Sequence, residues 1–371
     1  MTLEELRGEI DKIDGDLLFL FLKRMECAEK VARYKLSHQI PVYNAERERE
    51  ILDRTQQKGG KYGGDARQLF SSLMAMSREV QHRLLSGGAP LRRAVSKAEK
   101  PNLPDRVACL GQKGSFSQEA ARRLFPRAKL LPFADFPSVF SAVARGTADC
   151  GVLPVENSSA GSVGEVYDLL LSHRFTISAA VSLPVRHCLA SLENSIEKIR
   201  IVYSHPQALL QCSTFLRNHN LSSIPCSSTA EAAHRAELPG AAAVCSSEAA
   251  QSHGLNILAR NIQNAAGNRT RFIAVERGFC LPEGGDKISL CFSVPHRTGT
   301  LSAVLSRFAA AGLNLTKIES RPIPGRNFEY DFYLDFLGSV RDGPTLDLLC
   351  ALSEELPRFD FLGNYREMEG L

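Results

Sequence analysis

The chain has 371 residues, 44% of them hydrophobic, with a formal net charge of +4 at pH 7. This length predicts two or three domains, and the small charge without any basic run interleaved with aromatics argues against nucleic-acid binding. The ten cysteines form no C-x-x-C pair or His-spaced cluster, the start is not a signal peptide, and no apolar stretch is long enough to cross a membrane. We therefore expect buried thiols in a cytoplasmic protein with no metal and no membrane contact.

A long first helix is predicted by an apolar seam with spacings of three and four. The seam consists of Leu3, Leu6, Ile10, Ile13, Leu17, Leu20, Arg24, Cys27, Val31 and Tyr34. Such a helix is roughly 50 Å long, more than a small domain can cover, so we expect it to pair with a second copy. Arg24 lies in the seam and Lys35 on the same face. These cations indicate either an enclosed anionic ligand or a coiled coil with snorkelling side chains.

Two further helices are predicted after Pro41. One spans residues 45–55, and the other, with Asp65 as its N-cap, runs to about residue 85. Ser77 and Gln81 form an i, i+4 pair beside the apolar seam of the third helix. This pattern resembles the all-helical chorismate mutase domain, an intertwined dimer in which arginines hold the two carboxylates of the substrate.

The resemblance to chorismate mutase implies a substrate site on these helices. It carries over to Arg7, Arg24, Lys35, Asn44, Arg47, Glu48, Ser77 and Gln81. Arg7 is implied to reach the partner chain's site, and Lys35 and Gln81 to donate to the ether oxygen, where negative charge grows during the rearrangement. Asn44 stands where the family often has Asp, and Asn still offers a hydrogen-bond acceptor.

Residues 86–105 are rich in Gly, Pro and charge, which predicts a first domain at 1–88, a linker at 89–104 and a second domain at 105–281. In the second domain short apolar strands alternate with helices, as in α/β layers. Its strands end in small polar residues before a predicted helix at 111–117, 156–159, 204–207 and 246–247. Because anions bind at helix N-termini and at strand ends, these segments predict a cleft for a small anion, although each alone is also typical of an ordinary N-cap or turn. The glycine loop is not G-x-G-x-x-G, so no nicotinamide cofactor is expected.

The sharpest motifs of this region are Glu156-Asn157-Ser158, the Ser-His-Pro-Gln segment at 204–207 and Thr270-Arg271-Phe272. Over residues 105–280 they resemble prephenate dehydratase, which implies two α/β lobes around a cleft and no cofactor. The substrate site carried over comprises Ser115, Glu156, Asn157, Ser158, Ser204, His205, Gln207, Gln211, Asn268, Thr270 and Arg271. Thr270 is implied to be the catalytic hydroxyl that hydrogen-bonds to the departing oxygen. His205 is structural or catalytic, and Arg271 clamps a carboxylate or holds the lobes together.

After a break at 281–286, the predicted order β-α-β-β-α-β is ferredoxin-like. The strands are expected at 288–294, 315–321, 329–336 and 359–365, and the helices at 300–311 and 343–356. Residues 286–371 resemble an ACT regulatory domain, whose amino-acid site lies at a subunit contact. The matching residues are Gly299, Thr300, Leu301, Glu319, Ser320, Arg321 and Pro322. The first motif is partial, since the family usually has Ala and Val where Thr300 and Ser302 stand, and a pure dimerisation module is the alternative.

Together these resemblances imply the bifunctional chorismate mutase/prephenate dehydratase family of phenylalanine biosynthesis. Expected are an isomerase acting on chorismate, a carbon-oxygen lyase converting prephenate to phenylpyruvate, and feedback inhibition by L-phenylalanine, in a homodimer or higher homo-oligomer. The first product is the second substrate, so the two resemblances support each other. Alternatives are a dehydratase whose first domain only dimerises, and a non-catalytic amino-acid sensor.

Overall fold

The computed structural model describes residues 1–85, 90–265, 267–323 and 325–369. These residues fall into two compact units, Met1–Ala98 with Ser289–Phe361 and Glu99–Ile288 with Leu362–Leu371. Residues 86–89, which belong to the predicted first domain and linker, and residues 370–371 of the predicted third domain lie outside the described residues. Within the described ranges, no helix is long and apolar enough to span a membrane.

The first unit begins with helices, as the apolar periodicity predicts. They are α1 (Leu3–His38), α2 (Ala45–Lys58), α3 (Gly63–Leu85) and α4 (Pro90–Lys97). A capping box starts α1, because the Thr2 hydroxyl accepts from the Glu5 amide and the Glu5 carboxylate accepts from the Thr2 amide. The prediction that Asp65 caps α3 is wrong: the preceding 3₁₀ turn leads into the helix at Gly63, whose backbone is already helical, so Asp65 lies in the first turn.

The apolar seam of α1 is largely exposed in the single chain. Among the described residues of this helix only Ala28 and Ala32 are buried, whereas Leu17 is 53% and Leu20 59% exposed. An exposed apolar stripe of this length needs a second apolar surface to cover it. The pairing of α1 with another copy therefore stays a prediction that this exposure supports.

The second unit alternates strands and helices, as predicted for α/β layers. Its first half contains β1 (Arg106–Leu110), α5 (Phe116–Leu124), β2 (Lys129–Phe133), α6 (Phe136–Ala144), β3 (Cys150–Asn157), β4 (Gly161–Ser162), α7 (Gly164–His173) and β5 (Thr176–Pro184). Its second half contains β6 (Cys188–Ser191), β7 (Ile201–Ser204), α8 (Pro206–Gln211), α9 (Ser213–Asn218), β8 (Ser222–Pro225), α10 (Thr229–Arg235), β9 (Ala241–Cys245), α11 (Ser247–Ser252), β10 (Asn256–Arg260) and β11 (Arg269–Glu276). Every residue of β9 is buried, as expected for a strand covered on both faces.

The last part of the chain has the predicted ferredoxin-like order. Its elements are β12 (Lys287–Ser293), α12 (Thr300–Ala310), β13 (Leu315–Pro322), β14 (Tyr330–Leu337), α13 (Gly343–Glu355), β15 (Arg358–Tyr365) and β16 (Glu367–Glu369). From β12 to β15 the element boundaries lie within one residue of the predicted ones. The short strand β16 is not predicted by the sequence pattern, and it pairs in parallel with β5 of the second unit.

In the described ranges the strands form three sheets. The β3 sheet has the order β16-β5-β11-β3-β1-β2 with β4 on β3, the β9 sheet has β10-β6-β9-β7-β8, and the β14 sheet has β13-β14-β12-β15. Strand β11 lies between β3 and β5 and is antiparallel to both. The fold class is therefore the predicted one: a helical domain, a two-lobed α/β domain and a ferredoxin-like α+β domain.

Helix α4 lies within residues 89–104, the segment predicted as a linker. Leu91 is buried, and Arg92 forms an ion pair with Asp347 on α13. The predicted linker thus contains a helix at residues 90–97. The reason is that contacts with a distant helix stabilise a helix that the local apolar pattern does not indicate.

Candidate functional sites

A cluster of predicted residues lies where α1, α2 and α3 meet. Arg24 of α1 donates to the Leu73 carbonyl at 2.8 Å and to the Ser77 hydroxyl, both on α3. Lys35 Nζ donates to the Val42 carbonyl at 2.6 Å. Burial lowers the pKa of Arg24 and of Lys35, and the nearby charge of Glu48 opposes this shift in both. The cluster therefore holds two partly desolvated cations close to one carboxylate.

Ser77 and Gln81 form the α3 side of this cluster, and both are buried. Gln81 Nε2 donates to the Ser77 carbonyl at 3.2 Å. Gln81 Oε1 is buried without a hydrogen-bond partner among the described residues. An unpaired buried amide oxygen is costly, so this oxygen is suited to accept a hydrogen bond from a bound molecule, while the second N–H of Nε2 can donate one.

The other predicted residues of the helical site lie outside this cluster. Asn44 is the N-cap of α2 and accepts from the Arg47 amide at 3.0 Å. The Arg47 guanidinium is exposed and pairs with Glu50 at 2.9 Å. Arg7 is exposed, and its seventeen-residue separation from Arg24 corresponds to about 25 Å along α1. This distance is too long for one site, which supports the prediction that Arg7 serves a second chain.

A chain of hydrogen bonds surrounds Thr270 in the second unit. Strand pairing puts Thr270 of β11 opposite Asn157 of β3. Asn157 Nδ2 donates to Thr270 Oγ1 at 2.9 Å and to Asn268 Oδ1 at 2.8 Å. Asn268 Nδ2 donates to Gln211 Oε1 at 3.1 Å, and His187 Nε2 lies 3.2 Å from the same oxygen. Predicted residues from β3, β11 and α8 are thus brought together across both lobes.

Arg271 follows Thr270 and is buried. Its Nη2 lies 3.3 Å from Glu156 Oε2, its neighbour across the strand pair. Its Nη1 lies 4.0 Å from Glu367 of β16. Ser158 Oγ accepts from the Arg269 amide at 2.9 Å, and it ties the same strand ends together. Arg271 thus has carboxylate neighbours from within the β3 sheet.

The four predicted strand ends differ in what they do. Ser246 Oγ donates to the Gly114 carbonyl at 2.8 Å, so the first and fourth ends meet across the lobes. Gly114 has φ +84°, and a Cβ there would lie 2.5 Å from the Ala249 Cα, so a glycine is required. The expectation that residues 156–159 directly precede a helix is wrong, because the chain first returns along β3 as β4 before α7 begins.

Several predicted dehydratase residues have local structural roles. Ser115 is the N-cap of α5, and its hydroxyl donates to the Leu110 carbonyl at 3.0 Å. Ser204 is buried and donates to the Val244 carbonyl at 2.6 Å. His205 caps α8, because its Nδ1 accepts from the Gln207 amide at 3.2 Å. Of the two readings left open for His205, this geometry supports the structural one.

His187 belongs to the Thr270 hydrogen-bond chain and was not predicted from the sequence. It is 3% exposed, and the Phe116 ring packs against it in a T-shaped arrangement with centroids 5.8 Å apart. Burial lowers its pKa, and the hydrogen bond with Gln211 opposes this. No local pattern marks this residue, which stands between β5 and β6 beside an apolar strand.

Acidification is expected to destabilise the second unit in part through His187. Because its pKa is lowered from 6.5, the unfolded chain binds a proton that the folded chain does not once the pH falls below about 6.5. The stability present above that pH is therefore lost as the pH falls through the folded pKa. His187→Gln, which cannot titrate, should lose less stability between about pH 7 and pH 5 in urea unfolding. An unchanged pH dependence in the variant would contradict this.

The third candidate site is a cavity of about 220 Å³ at the start of α12. Gly299 has φ +83° and turns the chain into this helix. The cavity is lined by Val294, Pro295, His296, Arg297, Gly299, Thr300, Leu301, Ser302, Glu329, Tyr330 and Phe332. The first predicted motif thus lines a cavity, together with β14 residues that the sequence did not indicate.

The second predicted motif of this region lies beside the cavity. Glu319, Ser320, Arg321 and Pro322 are on β13, at the edge of the β14 sheet, and are not among the residues that line the cavity. Glu319 forms an ion pair with Lys317 at 3.2 Å. An edge strand is open to pairing with another chain, which is consistent with the expected location of this motif at a subunit contact.

A group of potential metal ligands lies elsewhere in the second unit. His234, Glu237 and His253 have ligand atoms within 4.8 Å of one another. Glu237 is within ion-pairing distance of both histidines, at 3.4 and 2.8 Å, and the hydrogen bond with His253 is the largest cause that lowers its pKa. Mutual pairing accounts for this group, and the sequence spacing did not reveal it.

Comparison with known proteins gives matches along nearly the whole chain. Family models described as "Chorismate mutase type II", "Prephenate dehydratase" and "ACT domain" match residues 6–82, 107–278 and 289–354. The "Bifunctional chorismate mutase/prephenate dehydratase" of Aquifex aeolicus is 35% identical, and the match covers 98% of this chain and 97% of that relative.

Two solved structures resemble the greater part of the chain. Prephenate dehydratase from Arthrobacter aurescens, in complex with L-Phe, has a TM-score of 0.64 and 30% identity, covering 70% of this chain and 89% of that one. A structure described as GqqA, a quorum-quenching acylase, has a TM-score of 0.65 and 31% identity, covering 71% and 98%.

Proposed function

The chain belongs to the family of bifunctional chorismate mutase/prephenate dehydratases, and we propose that its three candidate sites are a mutase site, a dehydratase site and an effector site for L-phenylalanine. The enzyme rearranges chorismate to prephenate and converts prephenate to phenylpyruvate. We assign these steps to particular side chains. We also propose the domain limits 1–88, 105–281 and 286–371, which the family matches lie within.

The mutase reaction is an intramolecular rearrangement that needs no nucleophile. Catalysis consists of holding the compact conformer and stabilising the charge that grows on the ether oxygen. We assign Lys35 and Gln81 as donors to that oxygen, and Arg24 to a carboxylate. The supporting observation is that Arg24 and Lys35 face a single carboxylate, Glu48, which is also ion-paired with Arg78. The site therefore has an excess of positive charge that can attract a dicarboxylate. Glu48 is assigned to the hydroxyl of the substrate.

The dehydratase reaction removes CO₂ and hydroxide and forms an aromatic ring. Its enzyme must orient two carboxylates and help the hydroxide to leave. The observation that carries this assignment is the contact of Asn157 Nδ2 with Thr270 Oγ1. Because the threonine oxygen accepts that hydrogen bond, its own proton is available for donation to the departing oxygen. Asn157 and Asn268 then act as the groups that orient Thr270.

The cavity at α12 has the chemistry of an amino-acid site. Arg297 and Glu329 line it together with apolar residues such as Leu301 and Phe332. A cation, a carboxylate and an apolar wall match the carboxylate, ammonium and side chain of phenylalanine. The related dehydratase from Arthrobacter aurescens is described with bound L-Phe, which supports the same effector here.

Phenylalanine inhibition of the dehydratase should depend on this cavity. Arg297→Ala is expected to raise the phenylalanine concentration for half-inhibition about tenfold or more, since a charged partner of the ligand carboxylate is lost. Dehydratase kcat/KM without phenylalanine should stay unchanged, because an effector acts only through its differential affinity for two states. The measurement is an inhibition curve for each variant.

Arg341→Ala is the matched control, because Arg341 is an exposed arginine of the same region that does not line the cavity. If Arg297→Ala and Arg341→Ala both give the wild-type curve, phenylalanine acts elsewhere. The third domain would then be a dimerisation module.

The long exposed seam of α1 and the position of Arg7 support a homodimer or a higher homo-oligomer. We also propose a cytoplasmic location, supported by ten cysteines that are all free thiols. Sedimentation of the purified chain tests the first proposal, because a monomer would leave the seam uncovered.

One assay separates the function from its alternatives. Purified full-length protein is given chorismate or, in a separate reaction, prephenate, and prephenate and phenylpyruvate are followed with and without phenylalanine. Both products are expected, and the second should decrease when phenylalanine is added. A dehydratase with an inactive first domain would use prephenate but leave chorismate untouched, and an amino-acid sensor would leave both untouched.

A further inference from the structure

A cluster of buried charges connects the regulatory helices to the mutase helices within the first unit. Arg78 of α3 pairs with Glu48 of α2 and, through Nε at 2.9 Å, with Glu355 at the end of α13. Glu355 is also paired with Arg307 of α12 at 2.9 Å and lies 3.2 Å from His82 Nε2. We call Glu48, Arg78, His82, Arg307 and Glu355 the Glu355 cluster.

Three members of the Glu355 cluster are largely buried. The side chains of Glu355 and Arg307 are each 7% exposed, and that of Arg78 is 13% exposed. Burial opposes ionisation of Glu355, but the close approach of His82 and the charges of Arg78 and Arg307 hold the pKa of its carboxyl below the usual value. Removing one partner of such a buried set leaves an uncompensated charge, which is costly. A change of one member is therefore expected to disturb the side chains paired with it.

Arg78 is the link to the mutase site. Its guanidinium pairs with the carboxylates of both Glu48 and Glu355. It also lies 5.3 Å from the centre of the Tyr43 ring. Tyr43 immediately precedes Asn44, the N-cap of α2. The helix that carries Glu48 is therefore held at two points by one arginine, whose orientation depends on Glu355.

We propose that Glu355 and Arg78 are positioning residues for the mutase reaction. Glu355, on a helix of the regulatory domain, orients Arg78, and Arg78 orients the Glu48 carboxylate toward the substrate hydroxyl. This inference rests on the proposed role of Glu48. Catalysis by orientation is sensitive to displacements of about 1 Å, so the mutase depends on a residue far outside its own helices in the sequence.

The regulatory domain also offers a control for the structural importance of this contact. Asp347 lies on the same helix as Glu355 and pairs with Arg92 of α4. It forms a second ion pair with Arg83 of α3, in which Arg83 Nε lies 3.6 Å from Asp347 Oδ2. The Arg83 pair joins α13 to α3, as the Arg78 pair of Glu355 does, and neither pair of Asp347 reaches Glu48. Glu355→Gln and Asp347→Asn thus each remove one carboxylate from α13, and only the first is connected to the mutase site.

The experiment is a double-mutant cycle in the full-length enzyme. Glu355→Gln, Glu48→Gln, the double variant and Asp347→Asn are compared by mutase kcat and KM, dehydratase kcat/KM and thermal unfolding. Glu355→Gln is expected to lower mutase kcat about fivefold or more, and to have less than about a twofold further effect once Glu48 is Gln. Asp347→Asn should leave mutase kcat within about twofold, and dehydratase kcat/KM should not change in any of them.

A second variant guards against misfolding of Glu355→Gln. Arg78→Lys keeps the charge but cannot bridge two carboxylates in the same way, so it should lower mutase kcat to a similar extent. Unchanged mutase kinetics in both Glu355→Gln and Arg78→Lys, with Glu48→Gln impaired, would overturn the positioning role while the assignment of Glu48 stands. An equal loss in Asp347→Asn would also overturn it, in favour of general stabilisation. Normal mutase activity in Glu48→Gln would refute the proposed role of Glu48 itself.

Discussion

Replacing Lys35 by alanine is expected to reduce mutase turnover by about 10²–10³-fold while dehydratase turnover persists. Lys35 is a partly desolvated cation. Burial lowers its pKa, and the negative charge of Glu48 acts in the opposite direction. A preorganised cation of this kind is assigned to the ether oxygen, where negative charge appears only in the transition state. Its loss should therefore act on kcat more than on KM.

The measurement is chorismate consumption and, separately, phenylpyruvate formation from added prephenate. Lys58→Ala is the control, because Lys58 is an exposed lysine in the last turn of α2. Gln81→Ala should act in the same direction as Lys35→Ala. Near-normal prephenate formation by the Lys35 variant would remove it from the mutase site.

Replacing Thr270 by alanine or valine is expected to lower dehydratase kcat by about 10²–10⁴-fold, and Thr270→Ser should keep part of the activity. The hydroxyl is the proposed proton donor, whereas the methyl group only packs. Valine preserves the branched shape, so it separates the loss of the hydroxyl from a change of shape.

Mutase activity and the unfolding temperature of the Thr270 variants serve as internal controls. Both should stay near the wild-type values, because Thr270 lies in the second unit and its side chain is only partly buried. If the valine variant were as active as the serine variant, Thr270 would be a packing residue. Another hydrogen-bond donor would then have to help the ring hydroxyl of the substrate to leave.

The positions of the motif residues were only partly predictable. Asn157 and Thr270 are 113 positions apart, and the motifs named both without indicating that they are cross-strand neighbours. Ser204 and His205 were grouped with them, yet their hydrogen bonds serve a carbonyl of β9 and the cap of α8. The same residue types occur before a helix whether they cap the helix or bind a ligand. The sequence alone therefore did not separate these two roles.

The sequence by itself determined the three N-terminal helices, the alternation of strands and helices in the second unit and the ferredoxin-like boundaries, because apolar periodicity reflects backbone geometry that each segment has locally. Only the tertiary structure decided that His187 joins the Thr270 chain, that residues 90–97 form a helix, and that Glu355 meets Arg78 and Arg307. The ion pairs of Glu355 join residues 277 and 48 positions apart. Such contacts depend on which helix faces pack together, and burial then determines whether a charge is fixed or solvated, neither of which leaves a periodic pattern in the chain.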